Sequence, residues 1–111
     1  MPKTLTFDVY SDPGHSWIKV HASFLEKIIG HYWRQNFTPF SHERGEWLYL
    51  EEDVDASRFV NCCRANGIEP KWREHHTDKR SRIRSYDVLS PMTKAPAPRF
   101  EKVQGLLNSL L

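Results

Sequence analysis

At 111 residues and a formal net charge of +2, the chain can bury one hydrophobic core but hardly two, so a single domain with a tail is expected. No apolar run approaches the core of a signal peptide or a membrane span, which points away from secretion and membranes. The two cysteines, Cys62 and Cys63, are adjacent in a stretch with helical spacing, where their side chains diverge by about 100° and cannot easily bridge, and this argues for a reducing, cytoplasmic location.

Residues 4–10, TLTFDVY, alternate Leu5, Phe7 and Val9 with Thr4, Thr6, Asp8 and Tyr10, the period-two pattern of a half-buried strand. Asp12-Pro13-Gly14 is turn chemistry, and residues 16–20, SWIKV, are expected to return antiparallel. Spacing then becomes helical over 21–30, with Phe24, Leu25, Ile28 and Ile29 on one face and Gly30 as the stop. Residues 31–45 are aromatic-rich and broken by proline. A hairpin turning at Arg44-Gly45 leads into a strand with Leu48 and Leu50 on one side and Trp47 and Tyr49 on the other. Residues 53–68 carry the clearest helix, with Asp53 or Asp55 as its cap, Ala56, Phe59, Val60 and Cys63 on one face, and Gly67-Ile68 as its ending. Next comes a strand, KWREHH over 71–76, running into a charged loop. From Val88 onward Pro91, Pro96 and Pro98 mark a linker, followed by a short amphipathic segment with Val103, Leu106, Leu107 and Leu110 on one side. This order predicts an α+β domain over residues 1–87, an antiparallel sheet of four to five strands with two helices on one face, and a proline-rich tail over 88–111.

Charge is segregated along the chain. Residues 43–55 hold six acids (Glu43, Glu46, Glu51, Glu52, Asp53, Asp55) against Arg44, a net of −5, whereas residues 71–84 hold Lys71, Arg73, Lys79, Arg80, Arg82 and Arg84 against Glu74 and Asp78, a net of +4. If the basic segment is extended, Arg80, Arg82 and Arg84 share one face, bracketed by Trp72 and Tyr86. Cations at that spacing follow phosphates, and neighbouring aromatic faces stack on bases. The same pattern suits a solvated strand and loop neutralised by the acidic segment, or a surface that docks on an acidic protein. Trp17 is a further aromatic anchor for a partner. In a rival mode the acidic run Glu46, Glu51, Glu52, Asp53 and Asp55 imitates phosphates in a basic channel.

Chemistry is harder to find. His75 and His76 point to opposite faces of a strand and cannot chelate as a pair; one of them would have to meet Glu51, Glu52 or Asp53 to hold a hydrolytic metal. No His-x-His, Cys-x-x-Cys or His-Glu-x-x-His spacing is present, so no metal or cofactor is expected. Asp12, His15 and Ser16 are close in sequence, but geometry makes a triad, not proximity; Asp12 is a turn former and His15 a surface residue. No glycine loop cradles a phosphate, and an enzyme is not expected.

Three blocks, YSDPGHSWIKV (10–20), ERGEWLYLEEDVDASRF (43–59) and GIEPKWREHHTDKRSRIRSYD (67–87), resemble an uncharacterised family of small proteins carried by bacteriophages, plasmids and other mobile elements. The resemblance implies genomic company rather than an activity, and it transfers no catalytic residue. It leads to the expectation of a non-enzymatic accessory protein that occupies a surface on a host protein or nucleoprotein complex, an anti-defence inhibitor of the anti-CRISPR kind being the most concrete form. Direct DNA or RNA binding as a small regulator is the alternative, and a metal-dependent hydrolase using His75 or His76 with Glu51 or Asp53 is a third.

Overall fold

The computed structural model describes residues 3–90. The alternating N-terminal run becomes β1 (Lys3–Ser11), and the Asp-Pro-Gly turn reverses the chain into β2 (Ser16–His21), with Asp8 opposite Lys19 and Tyr10 opposite Trp17. Helix α1 (Ala22–Ile28) starts at once, because the His21 imidazole accepts a hydrogen bond from the Ser23 N–H. A 3₁₀ turn at Trp33–Asn36 precedes the hairpin of β3 (His42–Arg44) and β4 (Trp47–Glu51), which turns at Gly45-Glu46. Helix α2 (Val54–Ala65) ends just before Gly67, whose φ of 71° lies in the left-handed region that favours glycine. Strand β5 (Ile68–His76), a second 3₁₀ turn at Arg82–Ser85 and the two-residue β6 (Asp87–Val88) complete the described elements.

The sheet has six strands in the order β5-β1-β2-β4-β3-β6, more than expected, and it is mixed rather than antiparallel, because β5 runs parallel to β1. The cause is α2. A helical crossover brings the chain back to the end of the sheet it left, so β5 must point the way β4 does, which is also the way of β1.

Period-two alternation divides the sheet into two faces. Phe7, Val9, Ile18, Val20, Leu48 and Leu50 face both helices and pack on Leu25 of α1 and on Phe59 and Cys63 of α2. Phe59 meets the Phe7 ring edge-on with centroids 5.1 Å apart, and a fully buried side chain of this class contributes about 1.5–3 kcal/mol. Cys63 is buried there, which pushes its thiol up to about 11. The other face carries a smaller cluster of Trp17, Tyr49 and Ile83, flanked by Tyr10 and Tyr86.

Two expectations need correction. Helix α2 is not capped by a carboxylate: Asp53 makes no capping bond, and Asp55 is fully buried, accepting from the Thr38 N–H and from the hydroxyls of Thr38 and Ser41. The domain also does not end at residue 87. Val88 pairs with His42, Leu89 is buried in the core and donates its N–H to the Ser41 carbonyl, and the Ser90 N–H donates to Glu43. Pro91, Pro96, Pro98 and the amphipathic segment at 101–111 lie outside the described residues. No helix among the described residues is long and apolar enough to cross a membrane.

Candidate nucleic-acid interface

The helix-free face of the sheet is built by register. Lys71, Arg73 and His75 of β5 lie opposite Thr6, Asp8 and Tyr10 of β1, and the row through Asp8 continues across Lys19, Tyr49 and His42. Trp72 pairs with Phe7 and therefore belongs to the helix side, 42% exposed. It does not bracket the cations, as an extended segment would have allowed. On the open face Lys19 Nζ sits 4.4 Å from the Trp47 ring centroid and the Arg44 guanidinium 5.0 Å from that of Tyr86, so cations and aromatics are interleaved across the strands.

Residues 77–86 fold over one end of this face, held by one clamp. Arg84 reaches Asp12 with two hydrogen bonds, Nε to Oδ2 at 2.6 Å and a terminal nitrogen to Oδ1 at 2.8 Å, and the Ser81 N–H donates to Oδ2 at 3.0 Å. Asp12 also accepts from the N–H groups of Gly14 and His15, as its turn requires. The Arg84 guanidinium, opposed by burial and helped by these N–H donors, holds the Asp12 carboxyl well below the usual carboxylate range. A Cβ on Gly14 would lie 2.6 Å from an Arg84 nitrogen, so any larger residue there requires the guanidinium to shift on its carboxylate. Arg84 is thus an inward structural cation, not the third member of an exposed row. Residues 82–85 form a turn, which destroys the alternate spacing assumed for Arg80, Arg82 and Arg84. Trp17 is only 2% exposed beneath Ile83 and Tyr49, which removes it as a partner anchor.

What remains is a cleft of about 480 Å³ between the loop and the sheet. Lys19, Lys79, Arg80 and Arg82 supply its cations, Tyr10, Tyr49 and Tyr86 its aromatic floor, and no carboxylate lines it. Among the described residues Lys79, Arg80 and Arg82 make no ion pair. Burial pushes the Tyr49 hydroxyl up. Lys19, Tyr10 and Tyr49 were not among the residues expected from sequence. They join the site only through the pairing of β1, β2 and β4.

The acidic residues do not form a matching patch. Glu43 is buried against Arg34, Asp55 is buried among hydroxyls, and Glu51 is buried with its carboxyl pushed up by that burial, so only Glu46 and Asp53 stand fully exposed. Burial raises the neighbouring Glu52 as well, but hydrogen bonds from Ser16 and His15 outweigh it and hold that carboxyl low. Neither a phosphate-like strip nor a neutralising partner for the basic loop results. The meeting of His75 or His76 with this segment that a hydrolytic metal would have required does not occur: His75 stacks on Tyr10 and bonds Asp8, whose carboxyl it holds low, and His76 bonds Ser11 and Asp78. The imidazole that reaches Glu51 and Glu52 is that of His15, across the first turn.

A further groove of about 500 Å³ runs on the helix side beside Trp72 and α2, but its lining sets Glu52 and Glu74 against Arg64 alone, an acidic balance that does not suit phosphates. Compared with known proteins, the chain matches no family model, no curated protein and no solved structure, and the reading of the cleft rests on its own geometry.

Proposed function

We propose that this protein is a non-enzymatic binding protein that grips single-stranded nucleic acid on the open sheet face, and that it acts by occupying nucleic acid displayed in a host nucleoprotein complex. The observation that carries this reading is the cleft of Lys19, Lys79, Arg80 and Arg82 over three tyrosines, with no carboxylate in its lining. Phosphates need mobile cations free of internal partners, and exposed bases need aromatic faces. The resemblance to mobile-element accessory proteins supports a host target, and an anti-defence inhibitor is its most concrete form. The phosphate-imitating mode is dropped, since most of the carboxylates it requires serve the fold.

Fluorescence anisotropy with labelled single-stranded RNA and DNA over a salt series tests the reading. About four phosphate contacts predict log K falling against log salt with a slope of about −2.8, and Arg80→Ala or Arg82→Ala should each make it shallower by about 0.7. Absence of binding at low salt, or a slope indifferent to both substitutions, would overturn it. Capture from host lysate separates the two levels of the proposal: a partner lost on nuclease treatment is nucleic acid itself, and one retained is the complex around it.

A further inference from the structure

We propose that His15, Glu51 and Glu52 bind one divalent transition-metal ion, of which zinc is the representative, at the wall of a second cavity beside the basic cleft. One donor atom from each of the three residues lies within 4.8 Å of the other two, and His15 Nδ1 stands 3.1 Å from Glu52 Oε1 and 3.9 Å from Glu51 Oε1. Nitrogen and oxygen ligands about 2.0–2.2 Å from a tetrahedral zinc stand about 3.3–3.5 Å apart, a spacing that the two separations from His15 bracket and that the carboxylates reach by a side-chain adjustment.

Each carboxylate is held by its other oxygen. Glu52 Oε2 accepts from the Ser16 N–H and hydroxyl, and Glu51 Oε2 accepts from the Asp53 N–H at 3.1 Å, which leaves both Oε1 atoms directed toward one imidazole. The His15 backbone N–H is fixed in turn by Asp12, itself clamped by Arg84. This is the outer layer that orients metal ligands, built here from the Asp-Pro-Gly turn and the end of β4. A nitrogen and two carboxylates form a donor set suited to zinc and its neighbours.

A second observation comes from the cavity. Its volume is about 280 Å³ and its lining includes His15, Glu51, Trp17, His42, Arg80 and Arg84. Trp17 is buried, and its Nε1 is the one buried side-chain nitrogen or oxygen among the described residues without a hydrogen-bond partner. Such an N–H calls for an acceptor. A water or oxyanion completing the coordination sphere is an acceptor of the kind this donor lacks, and Arg80 and Arg84 favour an anionic one.

The full chain, stripped with chelator, should take up one zinc ion per molecule when titrated with zinc chloride by calorimetry, and the bound ion should show one nitrogen and otherwise oxygen neighbours by X-ray absorption. His15→Ala, at an exposed position, should leave the melting temperature nearly unchanged and weaken zinc binding at least tenfold. Glu51→Gln, which retains an acceptor for Asp53, should do the same. His76→Ala, which removes the separate His76 and Asp78 pair, should leave binding unaltered. No stoichiometric binding, sulfur ligation, or equal affinity in the His15→Ala chain would overturn the site. Its failure would leave the nucleic-acid reading standing, because that rests on other residues and another measurement.

Discussion

Arg84 and Arg82 have the same chemistry two positions apart and opposite fates. Arg84 is half-buried on Asp12, whereas Arg82 is exposed and lines the cleft. An arginine stays inside only where a carboxylate and further donors complete its fork, as Asp12 does here. Because the Asp12 carboxyl is depressed in the fold, relative to about 3.9 in an unfolded chain, its contribution to stability is fully present above that value and is lost as pH falls below it. Asp12→Asn should therefore lower the melting temperature at neutral pH and flatten its decline below about pH 4, a difference that thermal melts across pH will resolve. Gly14→Ala tests the same clamp by steric means. Its Cβ forces the Arg84 nitrogen aside and loosens that nitrogen's bond to Asp12, and a loss of about 0.5–1.5 kcal/mol in chemical denaturation is expected, the usual net value of one hydrogen bond. Signals for this arrangement are thin in the sequence: the Asp-Pro-Gly turn is legible, but nothing local says that its carboxylate is answered from Arg84, 72 positions later.

Among the elements, those with a local cause were readable and those with a distant one were not. The alternation of Leu5, Phe7 and Val9 and the stripe of Ala56, Phe59 and Cys63 each record a periodicity that the chain carries by itself, and the hairpin was legible from its glycine, though it turns at Gly45-Glu46, one residue later than Arg44-Gly45. The parallel pairing of β1 with β5 records instead where α2 delivers the chain, and the cleft inherits that illegibility, since Tyr10, Lys19 and Tyr49 come from three strands. β6 was hidden by its neighbours: two residues beside a proline-rich stretch carry no period, yet Leu89 follows them into the core. Leu89→Ala should consequently cost about 2–5 kcal/mol, the usual range for an emptied leucine site, with denaturant midpoint as the readout. A loss below a few tenths would return residues 88–90 to the tail.

At the scale of the whole molecule, the sheet separates two kinds of work. One face is closed by α1 and α2; the other presents unpaired cations and tyrosines around the 77–86 loop. Distance from that face should therefore govern the effect of surface substitutions. Trp72→Ala, on the helix side, should change single-strand affinity by no more than about twofold, whereas Lys19→Ala with Lys79→Ala, both in the cleft, should weaken it several-fold and reduce its salt dependence, as measured by anisotropy.

The order of β5 and β1 also bears on synthesis. Lys3 has Ile68 as its neighbour on that flank, and Ser11 has His76. During translation at about 5–20 residues per second, the hairpin of β1 and β2 leaves the ribosome with its outer flank bare and waits several seconds for the strand that will cover it. In that interval the exposed backbone is a place for a chaperone or for another newborn chain to attach. The lysine and arginine of β5 then seal it with charge that discourages further addition.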